Sequence, residues 1–477
     1  MVAIGVDAGT SQVKAVRFGD DLAAQAQAGV TVAVRRPRPG WAEQDLAEVW
    51  SAVESVVDQV LPADGEPVDL IAVTGQGDGC WLVDTAGDPV RPAMLWNDAR
   101  ATSTVDDWER DGLLDKAFRT TGSYGNAGLA HAQLAWLAEA EPEAAKRAAT
   151  LLSCGSWLYL RLTGRRVLDV TEACNPFLDA RTGRYADGLL DDLGIGWTRR
   201  LLPEVVEGAG RLGELGPDAA GRLGLPAGTP VALGPYDVPA TARGVGTVEP
   251  GSAFAVLGTT LCVGVATGDP MLDRDPAGMS LRTGEDGRWL LAYATLAGTE
   301  VLEWARELLG LGSAAELVAL AATAGSGTPP LVLPYLSPAG ERAPFRDPQA
   351  KGAVLGLSLE HTPADVARGV LDGLSLAVRD CLLASGGRPE SLAVCGGGAR
   401  SDTWCQLLAD ATGLPVSRTT QDQVGALGAV LSAGAAWTPS GTVAVDRTWT
   451  PDPAGVAAFD AGYERFLAAR ESGAARA

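Results

Sequence analysis

Runs of apolar residues predict strands, and apolar residues that recur every three or four positions predict helices. The runs at residues 2–6 and 13–18 predict two strands joined by a tight turn. Helical spacing predicts a helix over 42–60, and another begins after Thr362, its expected N-cap. Because such strands alternate with helices along the chain, the pattern predicts an α/β fold with mixed sheets.

A second pair of predicted strands repeats the first arrangement. Residues 254–257 and 261–266 flank the turn Gly258-Thr259-Thr260, about half of the 477-residue chain away from the turn at Gly9. This spacing suggests two related halves. The Gly-rich segment 243–253 lies between them, so we expect domains of residues 1–246 and 247–477.

Composition and charge restrict the partners. The chain has 38 Lys and Arg residues against 59 Asp and Glu, and its net charge of −21 would repel the phosphate backbone of nucleic acid. Neither a signal peptide nor a membrane-spanning apolar run is recognisable, and we expect a cytoplasmic protein without a membrane partner. Seven scattered cysteines without a CxxC pair indicate reduced, mostly buried thiols. Sixty glycines are far above the usual ~7%.

Three glycine-containing turns are candidates for nucleotide binding. The segment DAGTS at 7–11 combines a carboxylate suited to hydrated Mg²⁺ with hydroxyls and backbone N–H groups suited to phosphate. It could equally be a hairpin turn with local hydrogen bonds. GTT at 258–260 is a second candidate phosphate turn. GGG at 396–398 lies between a predicted strand and a helix capped by Ser401, where a nucleobase could approach the backbone, although such a triplet is more often a flexible turn.

Together these segments resemble the FGGY carbohydrate kinases, within the superfamily of actin, hexokinase and chaperone ATPases. The resemblance covers nearly the whole chain, and its motifs share the family's order and spacing. They include GVDAGTSQVK at 5–14, TGQGDGCWLVDTAGDPVRPAMLWNDARA at 74–101, ALGPYDVPATARGVG at 232–246, VLGTTL at 256–261 and CGGGARSDTWCQLLADATGLPV at 395–416.

The resemblance implies two actin-like, ribonuclease H-like ATPase domains around a central cleft, with MgATP bound mainly by the second and the acceptor mainly by the first. Asp237 stands where the family has its catalytic base, and Asp7 where it has a carboxylate that holds Mg²⁺, through water. Without the resemblance, Asp237 would be interpreted as a helix N-cap or loop residue. Nucleotide contacts are implied for Gly9, Thr10, Ser11, Lys14, Gly258, Thr259, Thr260, Gly397, Gly398 and Ala399. Acceptor contacts are implied for Gln76, Gly77, Asp78, Trp96, Asp98 and Asp237.

The implied reaction transfers the γ-phosphate of ATP to a primary hydroxyl of a small open-chain sugar or polyol. Most of the chain is similar to xylulokinases, which usually carry Met-His-Gly where this sequence has Gly77-Asp78-Gly79. The motif Gln76-Gly77-Asp78-Gly79 is similar to the corresponding segment of erythritol kinases. A carboxylate accepts hydrogen bonds from adjacent hydroxyls, which favours a polyol over a ketose. Asp78 could also be a solvated turn residue, and an L-ketopentose would fit.

Two other functions are compatible with the same resemblance. One is a nucleotide-gated interaction protein like the actin-like filaments or chaperone ATPases, and the other is a catalytically dead kinase that acts as a sugar-responsive regulator. The acceptor-like segment 76–98 argues against the first, and the presence of Asp7 and Asp237 argues against the second. A homodimer is compatible with the resemblance, because family members are often dimers.

Overall fold

The computed structural model describes residues 1–63, 65–285, 287–325 and 327–472, and the chain divides into two units. The first unit comprises Met1–Gly246, Met279–Leu290 and Gln423–Val443, and the second comprises Thr247–Gly278, Leu291–Asp422 and Ala444–Ala477. Two segments from the second half of the sequence therefore fold with the first unit, which no pattern in the sequence indicates. The boundary between residues 246 and 247 stays a prediction.

Strands form mainly where apolar residues run together. In chain order they are β1 (Val2–Ala8), β2 (Gln12–Gly19), β3 (Ala24–Thr31), β4 (Glu43–Gln44), β5 (Leu70–Gly75), β6 (Trp81–Val83), β7 (Ala93–Met94), β8 (Thr150–Leu152), β9 (Val167–Asp169), β10 (Glu204–Val206), β11 (Leu212–Glu214), β12 (Pro230–Leu233), β13 (Ser252–Leu257), β14 (Leu261–Thr267), β15 (Met279–Arg282), β16 (Trp289–Ala294), β17 (Leu331–Leu333), β18 (Ala353–Leu355), β19 (Ser391–Cys395), β20 (Val416–Thr419) and β21 (Val445–Trp449).

Helices connect these strands. In chain order they are α1 (Leu46–Val60), α2 (Thr102–Arg110), α3 (Leu113–Thr121), α4 (Ala130–Ala140), α5 (Pro142–Arg147), α6 (Cys154–Thr163), α7 (Val170–Ala173), α8 (Asp187–Asp192), α9 (Pro217–Leu223), α10 (Asp237–Gly244), α11 (Thr299–Leu308), α12 (Ala314–Ala321), α13 (Pro363–Ala384), α14 (Asp402–Thr412), α15 (Val424–Leu431) and α16 (Pro453–Glu471).

The first unit is built on a six-stranded sheet with the order β11-β12-β5-β1-β2-β3. Strand β1 pairs antiparallel with β2 and parallel with β5, and β5 pairs parallel with β12. Helix α15 packs closely on this sheet, because a Cβ atom at Gly5 of β1 would lie 2.4 Å from the carbonyl oxygen of Ala426. A glycine is therefore required where α15 crosses β1.

The second unit contains a sheet in which β16, β14, β13, β19, β20 and β21 follow one another. Its central strand β13 pairs antiparallel with β14 and parallel with β19. The first sheet has the same local arrangement, in which β1 has β2 on one side and β5 on the other. The repeated turn in the sequence thus corresponds to repeated strand topology.

The strands and helices predicted from the sequence are confirmed, with small shifts at their ends. The helix predicted over 42–60 begins at Leu46, because the Asp45 side chain accepts hydrogen bonds from the first free N–H groups. Thr362 and Ser401 cap their helices as expected. The seven cysteines are free, and six of them are buried.

Among the described residues, no helix has the length and apolar character needed to cross a bilayer.

Replacing Thr362 by alanine tests the capping box that starts α13. The Asp365 carboxylate accepts hydrogen bonds from the N–H and Oγ1 of Thr362, at 2.8 and 2.6 Å, and Thr362 Oγ1 accepts one from the Asp365 N–H. Because alanine removes the hydroxyl, we expect a loss of about 1 kcal/mol, seen as a lower unfolding temperature in calorimetry. Thr362→Ser keeps the hydroxyl and should stay near wild type; an equal decrease in both variants would contradict this role.

Candidate active site

Three parallel strands of the first unit bring three carboxylates to one edge of the sheet. Asp7 is the last residue but one of β1, Asp78 follows β5, and Asp237 follows β12 as the first residue of α10. Since β1, β5 and β12 run parallel, their carboxyl ends lie at the same edge, which is where α/β sheets commonly bind ligands. Residues that are 230 positions apart in the sequence are thereby placed in electrostatic contact, as between Asp7 and Asp237.

Asp7 has a carboxylate oxygen that accepts no hydrogen bond from any described residue. Its Oδ1 is buried and has no hydrogen-bond partner in the described part of the chain. Burial raises the pKa of the Asp7 carboxyl. The positive charge of Lys14, which lies opposite Asp7 on β2, partly opposes this rise. A Cβ at Gly425 would lie 2.6 Å from Asp7 Oδ2, so the glycine leaves room for the carboxylate. An oxygen of this kind fits a hydrated Mg²⁺.

Asp237 is held by the backbone and is hard to ionise. The pKa of Asp237 is raised to about 8, mainly by burial and then by the negative charges of Asp7 and Asp78. Hydrogen bonds from the backbone N–H groups of Val238 and Gly77 partly oppose this rise. The Tyr236 ring packs over Gly77, where a Cβ would lie 2.2 Å from the ring. Gly77, predicted to contact the acceptor, is thus also needed for close packing beneath Asp237.

Asp78 is fixed in an unusual backbone conformation. Its φ is +58°, in the left-handed region that side chains other than glycine rarely adopt. Asn175 Nδ2 donates a hydrogen bond of 2.7 Å to Asp78 Oδ1, and the residue is partly buried. The interpretation of Asp78 as a merely solvated turn residue does not fit these contacts.

A fourth carboxyl group, that of Glu172 in α7, was not predicted from the sequence. The pKa of Glu172 is raised well above its ordinary range, mainly by burial and then by the negative charges of Asp78 and Asp237. A hydrogen bond with Ser153 partly lowers it. The sequence marks Glu172 only as one of two acidic residues, with Asp169, inside the mostly apolar segment 167–178. Nothing in that segment shows which distant carboxylates it faces.

The polar atoms of Gln76 and Trp96, both predicted to contact the acceptor, are bonded to the turn at Thr10. Trp96 Nε1 donates to Thr10 Oγ1 at 2.8 Å, and Thr10 Oγ1 donates to Gln76 Oε1 at 2.9 Å. Gln76 Nε2 donates to Gln44 Oε1, and Gln44 Nε2 donates to the Thr10 carbonyl oxygen, each at 2.6 Å. This network ties the first candidate phosphate turn to the predicted acceptor segment.

Asp98, also predicted to contact the acceptor, is fully engaged inside the protein. Its Oδ1 accepts hydrogen bonds from the N–H and Nε of Arg100, at 2.9 and 2.8 Å. Its Oδ2 accepts from Arg100 Nη2 at 2.7 Å and from the Ala42 N–H at 2.6 Å. Both ion-pair side chains are 0% exposed. In this structure both oxygens of Asp98 are occupied by internal hydrogen bonds, and the predicted contact with the acceptor stays a prediction.

In the second unit, the two predicted nucleotide segments follow neighbouring strands. Turn 258–260 follows β13 and the segment 396–399 follows β19, which is parallel to β13. A Cβ at Gly396 would lie 2.9 Å from the Leu257 carbonyl oxygen, and one at Gly398 would lie 2.4 Å from the Trp404 ring. Gly397, by contrast, is exposed, and a Cβ there would meet nothing within 4 Å. Close packing explains the two outer glycines, and the middle one leaves its backbone accessible.

Comparison with known proteins shows which protein family the chain is similar to. The FGGY family of carbohydrate kinases is matched by its N-terminal domain over residues 2–244 and by its C-terminal domain over residues 253–437. The chain is 34% identical to an erythritol kinase of Brucella abortus (strain 2308) over 91% of this chain and 87% of that protein. It is 33% identical to a xylulose kinase of Escherichia coli (strain K12) over 97% of both chains.

A solved structure extends the similarity to three dimensions. The crystal structure of a xylulose kinase from Rhodospirillum rubrum matches with a TM-score of 0.90 and 27% identity over 99% of both chains. The predicted α/β class with two sheet-containing domains of the ribonuclease H-like, actin-like ATPase fold is thereby confirmed.

Replacing Asp98 by asparagine distinguishes an internal role from acceptor binding. Because the substitution removes the charge of one of the two carboxylates that pair with the buried Arg100 guanidinium and leaves only Glu43, we expect a loss of about 2 kcal/mol in the free energy of unfolding. Thermal unfolding measures this loss. The control is Asp107→Asn, which breaks an ion pair with Arg110 that is largely exposed and should change stability little. An Asp98→Asn protein as stable as the control would contradict the internal role.

Proposed function

Because the chain belongs to the FGGY family of carbohydrate kinases, we propose that it transfers the γ-phosphate of ATP to a primary hydroxyl of a small open-chain carbohydrate, with Asp237 as the base. The carbohydrate-kinase activity follows from the family. The observation that supports the choice of base is the position of Asp237, which shares one sheet edge with Asp7 and Asp78 and has a carboxyl pKa raised to about 8.

Asp237 orients the attacking hydroxyl and accepts its proton late in the transfer. Phosphoryl transfer needs positioning and charge stabilisation more than covalent help. A base works best when its pKa is near the operating pH, and burial brings the Asp237 carboxyl into that range. The N–H groups of Gly77 and Val238 hold the carboxylate in one orientation.

We assign the Mg²⁺ position to Asp7, whose buried Oδ1 has no partner among the described residues and would hold the ion through water. The ion, when bound, neutralises phosphate charge. That neutralisation has to be local, because the chain carries a net charge of −21. Kinases of this family use ATP as the phosphate donor, and we assign its phosphate contacts in the first unit to Thr10, Ser11 and Lys14.

We propose a polyol such as erythritol as the acceptor, with a pentulose such as xylulose as the alternative. The relatives named above act on one or the other, by their names, and therefore do not decide between them. The contact that supports the polyol is the Asp78 carboxylate, which Asn175 holds in place and which accepts hydrogen bonds from hydroxyls.

A coupled assay of ADP release over tetritols, pentitols and ketopentoses tests the proposal. A kinase releases ADP only when its acceptor is added, apart from a low basal rate. A nucleotide-gated interaction protein would release ADP without any acceptor, and a dead regulator would release none, so either result would overturn the proposal.

Asp237→Asn tests the base. The amide cannot accept the proton, and we expect kcat to fall by roughly 100-fold or more while ATP binding, measured by calorimetry, stays unchanged. Asp218→Asn is the matched control, since Asp218 is an exposed carboxylate in the first turn of α9. If Asp237→Asn keeps kcat within about tenfold of wild type, the assignment of the base is wrong.

The pH profile tests the electrostatic origin of the raised Asp237 pKa. The ionised carboxylate is the active form, so kcat/KM should rise with pH until Asp237, with its pKa of about 8, has lost its proton. Asp78→Asn removes a negative charge that raises this pKa, and the midpoint of the rise should therefore move to lower pH. An unchanged or higher midpoint would contradict the electrostatic coupling, whatever the change in KM.

A further inference from the structure

Two buried side chains beside the candidate site each have an oxygen that no described residue binds. Glu172 is 6% exposed and Asn175 is 4% exposed. Within the described part of the chain, neither Glu172 Oε1 nor Asn175 Oδ1 has a hydrogen-bond partner. Buried polar atoms are normally paired, because leaving one unpaired costs free energy. A ligand that pairs with both oxygens would recover that free energy.

The contacts of Asn175 show which of its amide atoms is available. Its Nδ2 lies 2.7 Å from Asp78 Oδ1 and 3.1 Å from Met279 Sδ. A carboxylate can only accept a hydrogen bond, so the atom facing Asp78 is the amide nitrogen. The unpaired atom is therefore the amide oxygen, which requires a donor.

Glu172 lies close to the same carboxylates, since Thr171 Oγ1, one residue earlier, accepts a hydrogen bond of 3.2 Å from the N–H of Tyr236, the residue before Asp237. The charges of Asp78 and Asp237 both act on its carboxyl group, so it lies within electrostatic range of the predicted base and of the predicted acceptor carboxylate. A hydrogen bond with Ser153 engages one part of the carboxyl group, and Oε1 is left over.

Asp169, the neighbouring acid in the same segment, differs from Glu172 because both of its oxygens accept hydrogen bonds. Asp169, three residues earlier, pairs with Arg211 through a hydrogen bond of 2.5 Å from Nε to Oδ2. The Oδ1 of Asp169 also accepts hydrogen bonds from the N–H and Oγ1 of Thr171, at 2.9 and 2.6 Å. One acid of the segment is thus neutralised and the other keeps an oxygen available at the site.

Hydroxyl groups match such a surface better than a carbonyl does. A polyol carries a hydroxyl on each carbon, and each hydroxyl can donate to Asp78, to Asn175 Oδ1 or to Glu172. The carbonyl of a ketose can only accept, and it would leave Asn175 Oδ1 unpaired. We propose that Glu172 and Asn175 bind the acceptor and, with Asp78, select a polyol over a ketose; this inference rests on the proposed kinase function.

The test compares kcat and KM for erythritol and xylulose in wild type, Glu172→Gln and Asn175→Ala. Glu172→Gln replaces one carboxyl oxygen by an NH2 group that can only donate, so one acceptor for a polyol hydroxyl is lost and we expect the kcat/KM ratio of erythritol to xylulose to fall about tenfold, mainly through the KM for erythritol. Asn175→Ala removes the oxygen acceptor and should lower the same ratio. Calorimetric titration of erythritol without ATP gives the same comparison for a variant that has lost turnover.

Glu341→Gln is the matched control, because Glu341 is a buried glutamate of the second unit with one unpaired oxygen, Oε2, in the described structure. Its selectivity ratio should stay at the wild-type value.

The inference is overturned if Glu172→Gln and Asn175→Ala keep the wild-type ratio, or if the wild-type protein phosphorylates xylulose and not erythritol. Those results leave the kinase function intact, whereas a wild-type protein that releases ADP with none of the acceptors refutes the proposed function itself.

Discussion

The first unit is organised around several carboxyl groups that lie close together and are wholly or partly buried. Asp7, Asp78, Asp237 and Glu172 repel one another when charged, and burial adds to the free energy needed to ionise them. Such a group persists only if the surrounding fold is stable enough to hold it. The parallel strands β1, β5 and β12, whose ends meet at one edge of the sheet, provide that support.

Other acids near this group are neutralised by arginines. Asp169 pairs with Arg211, and Asp98 pairs with Arg100, in ion pairs that are almost completely buried. The oxygens of these two acids are occupied by hydrogen bonds from within the protein. The contrast between paired and unpaired acids is therefore a better guide to function than the mere presence of an Asp or Glu in a motif.

The high glycine content follows from packing in two different ways. At Gly5 and Gly77 a side chain would collide with Ala426 and Tyr236, so glycine is required for helix and ring to approach the backbone. At Gly397 there is open space, and the absence of a side chain keeps the backbone accessible instead. The sixty glycines of the chain thus have no single explanation, and only the contacts separate structural positions from candidate binding positions.

The sequence by itself determined the α/β class, the strands and helices with clear periodicity, their caps at Thr362 and Ser401, and the resemblance that points to Asp7 and Asp237. These features depend on neighbouring residues, which the sequence displays directly. Only the tertiary structure decided that both oxygens of Asp98 are occupied and that Glu172 comes within electrostatic range of Asp78 and Asp237. Both facts depend on which side chains meet after strands far apart in the chain have paired, and hydrophobic periodicity carries no information about such meetings. The segments that join the first unit from the second half of the chain were unpredictable for the same reason.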